Sequence, residues 1–156
     1  MVKYGNRGKW FEKAIEQTNM IYKNKGIAII DKIATPVNYN TRTNKAFYEG
    51  KSTVDFIGCD FNGKLVAFDA KETSQKNIPL ANIKQHQIDY LMNVSKLGAS
   101  AFFLIFFKLE NKCYKLDIHD FMIFKQTAKR KSIPFEWFES NAKEIVSKNG
   151  CMFDYL

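Results

Sequence analysis

Cysteine is scarce in this chain, and what there is does not pair up. Cys59, Cys113 and Cys151 fall in no CxxC or metal-ligand spacing, which argues against a zinc ribbon or a redox dithiol. They read as reduced, buried thiols of a cytoplasmic protein. Histidine is scarcer still. Neither His86 nor His119 has a Cys or His partner at ligand spacing, so a zinc site is not expected. No apolar run reaches the roughly 18 residues that a membrane span needs. The opening stretch, MVKYGNRGKWFEKAIEQ, is too charged for a signal peptide. There is no GxxxxGK[ST], which leaves a nucleotide-driven mechanism and a nucleotide cofactor without support. There is no GxSxG either. Repeats, low-complexity tracts and linkers are also missing, so residues 1–156 read as a single domain.

Apolar residues make up 46% of the chain, enough for a sizeable core. The net charge is +8, and it is unevenly spread. Residues 1–51 carry 10 Lys/Arg against 4 Asp/Glu, whereas the remainder is nearly balanced. A basic first third fits a polyanionic partner, most simply nucleic acid, although a merely soluble surface reads the same way.

Hydrophobic periodicity predicts a helix over 6–24, capped by Asn6 and stopped at Gly26, with Trp10, Phe11, Ala14, Ile15, Ile21 and Tyr22 on one face. At about 100° per residue, Glu12 falls just off that apolar arc, at the rim of the core. A strand follows at 27–34. Residues 35–51 then break the pattern: polar and aperiodic, they mix Arg42, Lys45 and Lys51 with Tyr39, Phe47 and Tyr48. That composition suits an arm touching nucleic acid, or a plain loop. Further on come a hairpin, a helix over 80–97 entered through Pro79, a doubly buried strand at 99–107, a strand at 112–116 and a helix over 118–130. A short helix near 134–139 precedes a tail that reads ambiguously. The order predicts an α/β fold, a mixed β-sheet flanked by helices.

The hairpin STVDFIGCDFNGKLVAFDAKET (52–73) carries the chemistry. Asn62-Gly63 marks its turn, and the loop length decides which residues meet. A two-residue loop sets Asp69 opposite Phe56. A three-residue loop over 61–63, with Gly63 left-handed, pairs Asp60 with Lys64, Gly58 with Val66, Phe56 with Phe68 and Val54 with Ala70. One face is then uniformly apolar. On the other, Asp55 stands opposite Asp69, with Lys71 at the end. This second register sorts the side chains better. It also brings like charges to a Cβ separation of about 5 Å, which is destabilising unless a cation lies between them. Hard oxygen ligands at that spacing suit Mg²⁺ or Mn²⁺. A cation there polarises a phosphoryl oxygen and acidifies a water, and Lys71 can stabilise the charge that develops. A surface hairpin with its charges in water is the plainer alternative.

D, thirteen residues, then D-A-K, after a helix bearing a Glu, resembles the PD-(D/E)XK nuclease superfamily. More closely, the chain resembles the RecU family of Holliday junction resolvases. The resemblance rests on NRG with FE at 6–12, ATP at 34–36, KSTVDF at 51–56 with Gly58, FDAKET at 68–73, PLANIKQHQIDYL at 79–91 and RKSI at 130–133. It implies a restriction-endonuclease-like core with a projecting stalk at 35–51. It also implies a catalytic set of Asp55, Asp69 and Lys71, with Glu12 assisting the metal. Arg7, Arg42, Lys45, Lys51 and Thr53 would meet DNA. Gln87 would contact the metal-bound water or the scissile phosphate, or is simply a helix-surface amide. The family works as a homodimer, which suits two symmetric nicks in four-way branched DNA. Two departures stand out. Asp69 replaces the family's common Glu, and the stalk is short and less basic, as in a compact, bacteriophage-carried variant.

The leading expectation is therefore an Mg²⁺-dependent endonuclease, with Mn²⁺ as a substitute, that resolves Holliday junctions through a metal-activated water. Two alternatives remain open. One is another nuclease of the superfamily, of restriction or repair type. The other is a branched-DNA-binding module without catalysis.

Overall fold

A three-residue turn sets the register of the molecule's central hairpin. The backbone N–H of Asp60 donates to the Lys64 carbonyl at 3.0 Å, and Gly63 takes φ +75°, a conformation open to glycine without a steric penalty. From that turn β4 (Phe56–Asp60) and β5 (Leu65–Thr73) run antiparallel, Phe56 against Phe68 and Gly58 against Val66. This is the register that sorted the apolar side chains. The computed structural model describes residues 9–34, 37–48 and 53–156.

Around the hairpin the sheet grows to six strands. Its order is β1 (Ala28–Lys32), β4, β5, β7 (Ser100–Phe107), β8 (Lys112–Asp117) and β10 (Lys143–Ile145). Only β5 and β7 run parallel; every other neighbouring pair is antiparallel. A parallel pair needs a crossover, and α2 (Gln85–Lys96) supplies it. β7 is buried from Ala101 to Phe107, which explains its continuous apolar run. Gly58 is required by closeness: a β-carbon there would overlap the Ile29 carbonyl oxygen of β1.

Two apolar layers cover the sheet. On one face α1 (Lys9–Asn24) lays Phe11, Ala14, Ile15 and Tyr22 over Phe56, Phe68, Phe102 and Leu104. Phe56, Phe68 and Phe102 stack in series, 4.9 Å between successive centroids. The tail that read ambiguously closes this face, burying Cys151, Phe153 and Tyr155. On the other face α2, α3 (Ile118–Thr127) and α4 (Phe135–Asn141) pack on Ala67, Ala101, Phe103, Ile105 and Phe107. Burial of each such large apolar side chain contributes about 1.5–3 kcal/mol.

Several boundaries differ from the sequence reading. Residues 37–48 form a ribbon of their own, β2 (Val37–Asn40) with β3 (Lys45–Tyr48), rather than an irregular arm. The helix expected over 80–97 is broken. A 3-10 turn at Leu80–Asn82 gives way to an extended Ile83 and Lys84 before α2 begins. Buried Ile83 anchors that break. β6 (Asn77–Pro79) precedes it and pairs with β9 (Ser132–Pro134). The helix expected over 118–130 ends at Thr127, because Lys129 turns left-handed at φ +46°. Cys113 and Cys151 are buried as expected, but Cys59 is exposed, because it faces outward from a short strand near the sheet edge. The proposed cap Asn6 lies outside the described residues.

Candidate active site

Asp69 sits in the middle of β5 beside Phe103 of β7, and it is fully buried. A carboxylate in such a place needs partners. Gln87, in the first turn of α2, donates from Nε2 to Asp69 Oδ1 at 2.6 Å. The break before α2 makes this possible. Gln87 is the third residue of the helix, and its Oε1 folds back to accept the Lys84 N–H at 3.1 Å. One amide thus caps the helix and holds the carboxylate. The Lys71 ammonium, two residues along β5, ion-pairs with Asp69 Oδ2.

Asp55 reaches Asp69 by a route the ideal hairpin did not foresee. Continued, the ladder would set Val54 against Ala70. Instead it stops at Phe56–Phe68, the chain bends at Asp55, and the Ala70 N–H donates to Asp55 Oδ2 at 3.0 Å. The carboxylate stands in for a strand carbonyl and is locked next to Asp69. Val54 accordingly turns into the α2-side core, away from Phe56. Burial pushes the Asp69 carboxyl up to about 7; Lys71 pulls it down, and the charge of Asp55 adds to the rise. The charge of Asp55 thus makes an ionised Asp69 more costly.

Beside the pair lies an open cleft of about 730 Å³, lined by Glu12, Ala70, Lys71, Thr73, Pro79 and Asn82 among others. Glu12 comes from α1 on the opposite face of the sheet, yet lines the same cleft as Lys71. Its Oε2 is held by Lys32 Nζ at 2.5 Å, and Lys32 also lies 3.5 Å from Glu16. Asp55, Asp69, Lys71 and Gln87 are therefore brought together, and Glu12 stands apart on a lysine. Among the described residues no group of three or more His, Cys, Asp or Glu converges as a metal cage.

The expected DNA contacts are spread more widely. Thr53 is exposed, next to buried Val54. Arg42 and Lys45 are exposed on the β2–β3 ribbon. There Asn40 Oδ1 accepts from the N–H groups of Arg42 and Thr43 at 3.0 and 3.2 Å, shaping the tip that presents Arg42. Arg7 and Lys51 lie outside the described residues. The reading of residues in isolation missed the double duty of Gln87. The late start of α2 at Gln85 had no clear signal in the sequence, because Ile83 fits a helical apolar position as well as it fits an extended one.

Comparison with known proteins identifies the family and the fold. The RecU family model, Recombination protein U, matches residues 6–156. The chain is 36% identical to the Holliday junction resolvase RecU of Geobacillus sp., over 98% of this chain and 82% of that protein. It is 33% identical to that of Pediococcus pentosaceus over the same shares, and 34% identical to that of Staphylococcus aureus over 99% and 80%. Among solved structures, Archaeoglobus fulgidus Hjc, a Holliday junction resolvase from an archaeal hyperthermophile, aligns with a TM-score of 0.54 at 12% identity. That match covers 85% of this chain and 94% of Hjc, and shows a shared restriction-endonuclease-like fold. With a family model spanning nearly its whole length and relatives above 30% identity, this chain belongs to the RecU family.

Proposed function

We propose that this chain is an endonuclease that resolves Holliday junctions, with Asp55, Asp69 and Lys71 as its catalytic centre. The observation that carries the reading is the buried Asp69 carboxylate, faced by Asp55 and held by Lys71 and Gln87 beside an open cleft, in a member of the RecU family.

The donor set fits a hard divalent cation. Two carboxylates crowd each other, and Asp69 is driven toward protonation by burial and by Asp55, a penalty that a cation removes. Two protein carboxylates suffice for Mg²⁺, which keeps several waters and takes phosphate oxygens as its other ligands. Asp55 and Asp69 would hold Mg²⁺, or Mn²⁺ in its place, with Glu12 as the further carboxylate at the cleft wall. When bound, the cation supplies Lewis-acid polarisation of the phosphoryl oxygen and lowers the pKa of the attacking water.

The chain's own groups do the rest. Lys71 neutralises Asp69 and presents its ammonium to the cleft, where it stabilises charge growing on the phosphoryl oxygens. Gln87 fixes the Asp69 rotamer, so it is a positioning residue. Thr53, beside Asp55, orients the phosphate at the site. Arg42 and Lys45 on the ribbon, with Arg7 and Lys51, contact the four-way DNA. A homodimer would place two such centres for symmetric nicks.

The test is cleavage of a mobile four-way junction beside linear duplex of the same sequence, with Mg²⁺ and with EDTA. Paired symmetric nicks, on the junction alone and only with the metal, are the expected result. Cleavage of both substrates would broaden the activity to a general DNA nuclease. Tight junction binding without cleavage would make the chain a binding module.

A further inference from the structure

The loop after α3 carries three consecutive cations, Lys129, Arg130 and Lys131, all exposed. Among the described residues, no carboxylate lies within ion-pair distance of any of them. Asp120 lines a groove together with Arg130 but makes no ion pair with it. Among the described residues only Lys32, Lys71, Lys108 and Lys112 form ion pairs, so what sets this loop apart is three exposed cations in direct succession rather than the lack of a partner. A run of unpaired positive charge is costly in self-repulsion unless something anionic answers it.

The fold ties this loop to the catalytic cleft. β9 begins at Ser132 and pairs with Pro79 of β6, and the Lys131 carbonyl accepts the Leu80 N–H at 2.9 Å. Pro79 and Asn82 are themselves part of the cleft wall. The cations therefore stand behind the wall that carries Pro79, fixed by backbone hydrogen bonds and not on a free tail.

A third observation concerns Lys129 itself. It occupies the left-handed position just past the end of α3, φ +46°, where glycine or asparagine is the less strained choice. A lysine there adds a charge at the expense of the helix stop. That is the reverse of what helix termination alone would select.

We propose that Lys129, Arg130 and Lys131 form a phosphate-contacting surface that grips a duplex arm flanking the scissile position. This rests on the resolvase reading above and adds to it a DNA track distinct from the β2–β3 ribbon. The contact is to backbone phosphate, so it adds affinity and register without reading sequence.

The experiment is equilibrium binding of four-way junctions with long and with truncated arms, in EDTA, over a series of salt concentrations, using the full chain. One variant is Lys129→Gly/Arg130→Gln/Lys131→Gln. A control with the same charge change is Lys23→Gln/Lys25→Gln/Lys64→Gln, near the Asp60–Gly63 turn at the other end of β5. For long arms, the loop variant should lose about tenfold in affinity at ~0.1 M salt, with the slope of log K against log salt shallower by about 2–3. On truncated arms the loss should vanish, and the control should leave the slope nearly unchanged. Lys129→Gly alone should melt at or above wild type and still flatten the slope by about 0.9. An unchanged slope in the loop variant, or an equal loss in the control or on short arms, overturns this proposal, while wild-type junction cleavage leaves the resolvase reading standing. A lowered melting temperature for Lys129→Gly with an unchanged slope makes the lysine structural and overturns it as well. If wild type neither binds nor cuts branched DNA, both readings fall.

Discussion

Each face of the sheet desolvates a charged side chain, half-buried Lys115 on one and fully buried Asp69 on the other, and the two faces treat it differently. On the α1 face Lys115 sits over the Phe102 ring, 4.1 Å from its centroid, and donates to the Tyr155 carbonyl at 2.9 Å. Burial pushes its pKa down to about 8, helped by the neighbouring charges of Lys143 and Lys64. On the α2 face Asp69 is pushed up to about 7. Both groups are uncomfortable, but their surroundings differ. Around Lys115 the polar groups close on one another: Tyr22 donates to Asp154 at 2.7 Å and accepts from the Tyr155 N–H at 2.8 Å, which pins the tail. Around Asp69 a second carboxylate, an amide and an ammonium converge next to an open cleft. The first arrangement fastens the chain to itself. The second gathers titratable groups beside a cleft, and the catalytic role proposed for Asp69 rests on that gathering.

The sharpest way to break the comparison is Asp69→Asn. Junction nicking should fall by at least about 10²-fold, as when a group acting on the reacting centre is lost, while junction binding in EDTA stays close to wild type. A parallel loss of binding would make Asp69 a DNA contact instead. Gln87→Ala should act one step removed. Loss of a partner that orients a ligand typically costs about 10–100-fold, so the Mg²⁺ needed for half-maximal nicking should rise while nicking at saturating Mg²⁺ partly recovers. On the α1 side, Gly58→Ala should lower stability by about 2 kcal/mol, read by thermal melting, because the new methyl meets the β1 backbone rather than a movable side chain.

The smallest effect concerns pH. A lysine with a folded pKa below its unfolded value binds fewer protons folded than unfolded, here between about pH 8 and 10.5. Stability from this group therefore rises with pH across that window. Lys115→Met should flatten the rise and leave Mg²⁺-dependent nicking unchanged at pH 7.5. Altered nicking would show that the two faces are coupled through β7.

Much of this was legible in the chain before folding. Asn62-Gly63 and the alternation on either side chose the hairpin register, because turn chemistry and a period of two are local properties. The unbroken apolar run of β7 announced a strand buried on both faces. Asp69 and Lys71 shared a face for the same reason of parity. The bend at Asp55 was not legible, since it depends on the Ala70 N–H preferring a carboxylate to a carbonyl. Nor was the placement of Glu12 on α1, which Lys32 of β1 engages.

The sequence by itself determined the α/β order, the central hairpin and its two carboxylates, through periods and turns that act over a few residues. Only the tertiary structure decided that α2 starts late enough for Gln87 to cap its own helix and hold Asp69. It also decided that the tail seals one face and that Lys131 is hydrogen-bonded to Leu80, next to the cleft wall. Those outcomes depend on side chains and strands far apart in the chain, which meet only when burial and hydrogen-bond satisfaction are settled for the whole sheet at once.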